Sequence, residues 1–383
     1  MEEELDLIEQ YFNKGHTYSV ILEMLSSHHE IHISIGTLKS RLKDLGLQRR
    51  GGFSSLNAVR RAISSELLGP GQLFGYRTMW ITLKQKHGLR VKRETVMRML
   101  RQLNPRGTLL RARRRFIRRT YHSMGPNYLW HVDGYDKLKP FGFAISGCID
   151  GFSRRIMWLK CGPTNNNPEV IKNNFIDCIR SVGVVPMKLR TDCGTENGDM
   201  AAVQCTLRHH HSDYHAGARS HLFGSSTSNQ RIESWWSLFR KQRGQFWMEL
   251  FGDLRDKGLF NGTHEHLCLL RFCFMGILQA DLDECVQLWN SHRIRPSRHA
   301  LCPGGIPDEL YSLPHRFGSR DCGFAVEEAS LTIFQEGPLN EDPCGDPDIH
   351  EYLEQAMQQG LQQPHTWQAA TELYITQKNI AGL

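Results

Sequence analysis

The chain has 383 residues, of which 40% are hydrophobic and 23% charged, as is usual for a globular protein of two or three domains. No apolar run is long enough to span a bilayer, and the acidic start Met1–Glu4 lacks a signal-peptide pattern, so we expect no membrane partner. The 11 cysteines include no CxxC pair, which argues against a zinc ribbon or knuckle and favours a reducing intracellular compartment.

The net charge of +7 is unevenly distributed along the chain. Residues 316–383 carry three basic and eleven acidic side chains, a net of −8, which leaves +15 on residues 1–315. A basic body of this kind favours a polyanionic partner, because binding releases condensed counterions. A basic protein that is merely soluble would show the same balance, so charge alone does not decide.

Residues 1–50 are predicted to form a three-helix unit of the helix-turn-helix type. Apolar periodicity predicts helices over 5–13, 18–25 and 35–45, with Ser34 as the N-cap and Gly46 as the C-terminal glycine of the third. Such units often place their last helix in the major groove of DNA. The last helix carries three candidate DNA-binding side chains: Lys39, Arg41 and Lys43.

A second unit of the same kind is predicted over residues 51–105. Its helices are expected at 56–68, 76–87 and 93–103, each followed by Gly or Asn-Pro. Three basic side chains of the last helix are candidates for DNA contact: Arg93, Arg98 and Arg101. The segment from Gly75 to Leu100 resembles the second helix-turn-helix of bacterial insertion-sequence transposases.

Residues 106–124 are predicted to be an arginine-rich linker. Seven arginines and no acidic residue lie between Arg106 and Arg119. A solvated linker, a phosphate-tracking segment and a nuclear import signal all fit this composition, and the last of these predicts a nuclear location. The candidates for DNA contact are Arg111, Arg113, Arg114 and Arg115.

From residue 125 the pattern changes to alternating strands and helices. Strands are predicted at 128–137, 143–149, 155–160, 187–191 and 220–224, with helices at 167–182, 201–208 and about 233–243. The order β-β-β-α-β-α-β-α is typical of an RNase H-like mixed sheet, so the predicted class is α/β, preceded by the all-α helix-turn-helix modules. This topology can bring Asp133, Asp192 and Glu233 to one edge of the sheet.

These three acidic residues suit metal chemistry. Each stands where a strand or helix end would hold its carboxylate, in the segments Trp130–Asp133, Thr191–Asn197 and Ser228–Glu233. Carboxylate oxygens are the ligands that Mg²⁺ prefers, together with substrate phosphates. Two such ions about 4 Å apart would serve an in-line displacement at phosphorus. The sequence therefore predicts phosphoryl transfer on nucleic acid.

Residues 125–312 resemble the catalytic core of retroviral and retrotransposon integrases and of DDE transposases of mobile-element origin. The similarity rests on Leu129–Gly134, Arg190–Glu196 and Ser225–Glu233, and on a downstream segment that includes Trp289–Pro296 and Gly305–Leu310. It implies that Asp133, Asp192 and Glu233 bind two Mg²⁺ or Mn²⁺ ions. The expected reaction is nicking of double-stranded DNA and strand transfer, by a homo-oligomer assembled on the DNA.

Several residues near the three acids in the sequence are predicted to support them, to contact DNA or to pack in the core. Asn229 and Gln230 could position DNA or hold Glu233, and Arg240, Lys241 and Arg243 could meet the DNA end on an otherwise exposed basic helix face. Arg190 could pair with a carboxylate or contact a phosphate, whereas Trp235 and Trp236 are expected to be packing residues. Cys193 replaces the asparagine that such integrases usually carry after the second aspartate.

Several alternatives remain open at this stage. The chain could be a domesticated, non-enzymatic DNA-binding protein that uses the helix-turn-helix units, or an RNase H-like nuclease. The histidines of loop 209–221 could bind zinc or belong to a polar loop. The acidic, glutamine-rich region 313–383, with helices expected at 348–360 and 367–374, could dock on the basic body, bind a partner or be disordered.

Overall fold

The computed structural model describes residues 2–48, 52–111, 121–224, 229–296, 301–334, 342–358 and 361–383. The first three helices are α1 (Glu2–Lys14), α2 (Tyr18–His29) and α3 (Ile35–Asp44). They enclose a small core of their own, centred on Ile21, Leu25 and Leu38. The predicted N-cap of α3 is confirmed, since the Thr37 amide donates to Ser34 Oγ at 3.0 Å.

The next helices are α4 (Leu56–Leu67), α5 (Tyr76–Gln85), α6 (Arg93–Leu103) and α7 (Pro105–Arg111). The helices α4, α5 and α6 share a second small core that includes Ile63, Leu83 and Val96. Each of these three ends within two residues of its predicted position, because glycine or Asn-Pro stops the apolar periodicity there. The helix α7 begins the predicted linker, whose residues 112–120 lie outside the described part of the chain.

The centre of the molecule is a five-stranded mixed sheet. The described strands are β1 (Trp130–Tyr135), β2 (Ala144–Asp150), β3 (Ile156–Gly162), β4 (Val184–Val185), β5 (Leu189–Thr191), β6 (His221–Phe223) and β7 (Phe324–Ala325). The order in the central sheet is β3-β2-β1-β5-β6, in which β1 is antiparallel to β2, β2 antiparallel to β3, and β5 parallel to both β1 and β6. A second sheet pairs β4 with β7. The predicted RNase H-like α/β fold is confirmed.

Helices cover both faces of this sheet. One face, which carries Trp130 and Val132, packs on α8 (Pro168–Val182) and α9 (Gly198–Leu207). The opposite face packs on three further helices: α10 (Gln230–Phe239), α11 (Gln245–Asp256) and α12 (His264–Ser291). Because side chains alternate along a strand, Asp133 and Tyr135 of β1 point toward the α10 side.

Helices α10 and α11 form one continuous helical run. A π-helical turn over Arg240–Gly244 joins them, so the run extends from Gln230 to Asp256. Its buried face includes Trp235, Trp236 and Phe239, which belong to the larger apolar core. The run therefore holds the residues that follow Glu233 firmly against the sheet.

The remaining helices are α13 (Pro307–Ser312), α14 (Glu328–Thr332), α15 (Pro347–Met357) and α16 (Trp367–Ile380). Three side chains of α15 and α16, Leu353, Leu373 and Tyr374, are buried in the same core as α10, α11 and α12. The helices α15 and α16 therefore dock on the rest of the chain, which is one of the possibilities given for the acidic region. Burial of apolar side chains stabilises this docking.

The helical modules rest on the core domain. His16 Nδ1 lies 3.1 Å from Glu309 Oε1 in a buried contact between the first module and α13. Gln85 Nε2 of α5 donates to Ser291 Oγ at the end of α12, at 3.1 Å. Among the described helices, none is both long and apolar enough to cross a membrane.

Candidate active site

Asp133 lies on β1, directly opposite Gly147 of β2. Its Oδ2 accepts a hydrogen bond from Trp236 Nε1 of α10 at 3.0 Å. A Cβ atom at Gly147 would come within 2.8 Å of Trp236 Cη2, so the indole reaches the carboxylate only because this position is glycine. Trp236, expected only to pack, therefore also orients Asp133.

Asp192 follows β5 directly. Its Oδ1 accepts from the Gly194 amide at 3.2 Å and from Asn197 Nδ2 at 2.9 Å. Cys193 is exposed. The amide that anchors this carboxylate thus comes from Asn197, five residues along the chain, rather than from the position after the aspartate. The cysteine substitution leaves the carboxylate anchored.

Glu233 lies in the first turn of α10, and buried Asn229 fixes the start of that helix. Asn229 Nδ2 donates to the Val132 carbonyl at 2.7 Å, and its Oδ1 lies 2.7 Å from His131 Nδ1. Since the Asn229 oxygen can only accept, His131 carries its proton on Nδ1. The Tyr121 hydroxyl then donates to His131 Nε2 at 2.7 Å. This chain of bonds ties α10 to β1.

Burial keeps His131 neutral. Its imidazole is fully buried, and desolvation lowers its pKa to about 3, against a smaller opposing effect of the hydrogen bond to Asn229. Of the two roles considered for Asn229, holding the helix of Glu233 is the one that its buried position supports. Gln230 is half-buried at the first position of α10.

The three carboxylates influence one another electrostatically. Burial, followed by the charges of Glu233 and Asp192, raises the pKa of Asp133 to about 7. Burial and the charge of Asp192 also raise the pKa of Glu233. The structure therefore brings the three predicted acids, from a strand, a strand end and a helix, into one electrostatic cluster with excess negative charge.

Asp133 and Asp192 line an open cleft beside the sheet edge. Glu233 is not among the lining residues, although its charge reaches Asp133. The sequence interpretation gave no role to seven polar residues that also line the cleft: Asp136, Lys139, Ser146, Asn165, Asn166, Glu196 and Asn197. Glu196 and Asn197 lie within the second acidic segment, so their closeness to Asp192 in the sequence could have indicated that they line the cleft.

The candidate DNA-binding residues of the first module differ in their surroundings. Lys39 and Lys43 are exposed on α3. Arg41 is partly buried and forms an ion pair with Glu4 of α1, so it helps to hold the module together.

On α6 the three candidate arginines are all exposed. The Arg93 guanidinium lies over the Trp80 ring at 4.3 Å, and Arg98 pairs with Glu94 at 3.1 Å. Exposed pairs of this kind are weak, so both remain accessible to a phosphate. The side chain of Arg111 and all of Arg113, Arg114 and Arg115 lie outside the described residues.

The basic residues after Glu233 divide into two groups. Arg240 and Lys241 are exposed in the π-helical turn. Arg243 is buried, where it donates to the Asp281 carbonyl at 2.8 Å and pairs with the Asp281 carboxylate. Arg243 is therefore a structural residue, and the suggestion that it meets DNA is wrong because solvent does not reach it.

The histidines of loop 209–221 are dispersed. His221 is buried on β6, 3.2 Å from Thr191 Oγ1, and His211 stacks on Phe324 with ring centroids 4.3 Å apart. Within the described part of the chain, no three potential ligands from this loop form a metal-binding group. The structure thus offers no support for zinc at this loop.

A comparison with protein families matches residues 120–309 to the family model described as "Integrase core domain". The chain is an integrase-core protein. The match spans the sheet, the three acids and the downstream segment that includes Trp289–Pro296. A search of curated proteins found no match. The integrase core places the chain among polynucleotidyl transferases of the integrase and transposase type.

The downstream segment has a structural part in the integrase core. Asn290 accepts from the Ile156 amide at 2.8 Å and donates to the Ile156 carbonyl at 3.0 Å, which extends the pairing of β3. Asp308 pairs with Arg155 at 3.0 Å. These residues hold the end of α12 and the start of α13 against the sheet that carries Asp133.

Proposed function

We propose that this integrase-core protein is a DNA integrase or transposase that nicks DNA and transfers strands, with Asp133, Asp192 and Glu233 as its catalytic residues. The observation that carries the proposal is the convergence of the three carboxylates, since burial and then the charges of Glu233 and Asp192 raise the pKa of Asp133 to about 7. A site that gathers like charges in this way favours a bound cation, which would offset them.

The residues present fit a divalent metal. The predicted ligands are oxygen atoms only, and Mg²⁺ and Mn²⁺ prefer such ligands. When bound, two ions would supply activation of the attacking oxygen and stabilisation of the leaving oxygen. Trp236 and Asn197 each hold one oxygen of an aspartate by a hydrogen bond, and so fix the orientation of Asp133 and Asp192 before a metal arrives.

Basic side chains outside the cleft would hold the DNA. Arg240 and Lys241 follow the helix of Glu233, and Lys39, Lys43 and the arginines of α6 are exposed on the helical modules. Contacts of this type bind phosphates and set the register of the duplex. We further propose that the protein acts on DNA as a homo-oligomer in the nucleus and derives from a mobile element.

The decisive experiment compares the wild type with Asp192→Asn on supercoiled plasmid in Mn²⁺. The substitution is nearly isosteric and removes the charge that a metal needs. We expect nicked and joined products with the wild type and none with the variant. A matched control, Asp199→Asn, changes an exposed aspartate on α9 and should retain activity.

Three results would oppose the proposal. Equal cutting by the wild type and Asp192→Asn would mean that the triad is wrong. Cutting without joined products would favour a nuclease. No cutting on the native element ends, combined with salt-sensitive binding of duplex DNA, would favour the domesticated DNA-binding protein.

A further inference from the structure

A second group of metal-binding side chains lies far along the chain from the catalytic acids. Its members come from the loop before α15 and from the first turn of that helix. One potential ligand atom each from Asp342, Cys344 and His350 lies within 4.8 Å of the other two. Among the described residues, this is the set of three side chains whose potential ligand atoms already lie this close together, and the three proposed catalytic acids are farther apart.

His350 has the surroundings of a metal ligand. Its Nδ1 is 3.1 Å from Asp342 Oδ1, yet this buried nitrogen makes no hydrogen bond. Two ligands bound tetrahedrally to one zinc ion through nitrogen and oxygen would be roughly 3.3 Å apart, given metal–ligand bonds of about 2 Å. On the other side of the ring, Nε2 lies 3.1 Å from Glu354 Oε1. Metal-bound histidines commonly present their second nitrogen to a carboxylate in this way.

Two buried thiols meet at the same place. Cys344 and Cys268 are both fully buried and lie close enough for each to influence the thiol pKa of the other, and Cys344 Sγ donates to the Asp346 carbonyl at 3.1 Å. Cys268 lies on α12, where His264 Nε2 is 3.6 Å from its Sγ atom. The cluster therefore joins the loop before α15 to the first turns of the long helix that covers the sheet.

We propose that Cys344, His350 and Asp342 bind a structural zinc ion, with Cys268 as the fourth ligand. The ligand set of sulfur, nitrogen and oxygen suits Zn²⁺, whereas thiolates are poor ligands for Mg²⁺ and Ca²⁺. Four protein ligands leave no open position, which is typical of a structural ion. The site is independent of the proposed catalytic function.

The ion would fasten α15 and the helix that follows it to the integrase core. Without the ion, the loop that carries Cys344 is held by hydrogen bonds such as those from Arg271 Nη1 to the Cys344 carbonyl at 3.0 Å and from Cys344 Sγ to the Asp346 carbonyl at 3.1 Å. Because the ligands come from distant parts of the chain, zinc affinity would add directly to the stability of the docked helices.

The test is the zinc content of the full chain, produced with zinc in the medium and measured by mass spectrometry of the metal. We expect about one zinc per chain, and a loss of most of it in Cys344→Ala and in His350→Gln. Cys273→Ala is the matched control, since Cys273 is a buried cysteine of the same α12 outside the cluster. Asp192→Asn should also keep its zinc, which separates this ion from any metal at the catalytic site.

Cobalt exchange gives a second measurement, and its result for the wild type does not require any variant to fold. The wild type loaded with Co²⁺ should show thiolate-to-cobalt absorption, which weakens in Cys268→Ala. A wild type that binds no zinc, even after reconstitution, would overturn the proposal. So would a cobalt spectrum without thiolate absorption, equal zinc retention in Cys344→Ala, or a disulfide between Cys268 and Cys344.

Discussion

The charged form of the Asp133 carboxylate is subject to opposing effects. Burial and two neighbouring carboxylates penalise its charge, while Trp236 donates a hydrogen bond to it. The folded protein without metal therefore holds a proton on Asp133 up to a pH of about 7, whereas an unfolded chain releases it near pH 4. Between these values the folded state binds more protons, so the stability of the metal-free protein falls as pH rises through this window.

Replacing this charge should stabilise the metal-free protein at high pH. In EDTA at pH 8, we expect the free energy of unfolding of Asp133→Asn to exceed that of the wild type by a value on the order of 2 kcal/mol. At pH 4 the two free energies of unfolding should be nearly equal. Buried His131 has the opposite effect on the pH dependence of stability, but it is present in both proteins, so its contribution cancels when their free energies of unfolding are subtracted. Mn²⁺ should then stabilise only the wild type. Urea unfolding at both pH values measures this, and a difference that does not vary with pH would contradict it.

At the scale of elements, the site depends on how α10 is joined to β1. Asn229 alone bridges the Val132 carbonyl and His131, which in turn bonds to Tyr121. These contacts are buried, so each unpaired group would carry its full desolvation cost. The position of Glu233 relative to Asp133 is set by this link as much as by the apolar packing of Trp236.

We expect Asn229→Ala to lower the free energy of unfolding by about 2–4 kcal/mol, because it leaves two buried polar groups without partners. Gln230→Ala, a change at the neighbouring half-buried residue, should have an effect within about 0.5 kcal/mol. Chemical denaturation of both variants measures the contrast. Equal effects would mean that the bridge does not stabilise the junction.

The sequence predicted those elements that carry a single local signal. The modules show one apolar stripe per helix and clear stop residues, and Ser34 caps α3 as expected. The 28-residue helix α12 was not predicted. It packs on β3 on one side and on α15 and α16 on others, so its apolar residues follow no single stripe.

The site was predicted in part for the same reason. Three acids could be read from their local motifs, but Trp236 lies 103 residues from the aspartate it orients. The pairing of Gly147 with Asp133, which admits the indole, follows from strand register, and no local pattern shows it. Cys268 and Cys344 also share no local spacing. Only the docking of α15 on α12 brings their thiols together.

At the scale of the whole molecule, one buried arginine connects three parts. Arg243 pairs with Asp281 of α12, lies 3.5 Å from Glu284, and sits 5.1 Å from the Phe74 ring of the second module. We expect Arg243→Ala to lower the free energy of unfolding by about 3–5 kcal/mol, since it leaves a buried carboxylate unpaired. Lys241→Ala, an exposed change in the same π-helical turn, should leave stability nearly unchanged. Similar losses in both variants, measured by denaturation, would contradict this distinction.

The uneven charge of the chain bears on its proposed binding to DNA. If the first module contacts phosphates through Lys39 and Lys43, each lysine should contribute a slope of about −0.9 to the logarithm of the binding constant against the logarithm of salt concentration. The double variant Lys39→Ala/Lys43→Ala should therefore bind duplex DNA more weakly at low salt, with a slope shallower by roughly 1–2. Lys257→Ala removes an exposed charge just after α11, outside the sequence of both modules, and should leave the slope unchanged. Fluorescence anisotropy across a salt series would measure all three proteins, and an unchanged slope in the double variant would remove this module from the DNA-binding surface.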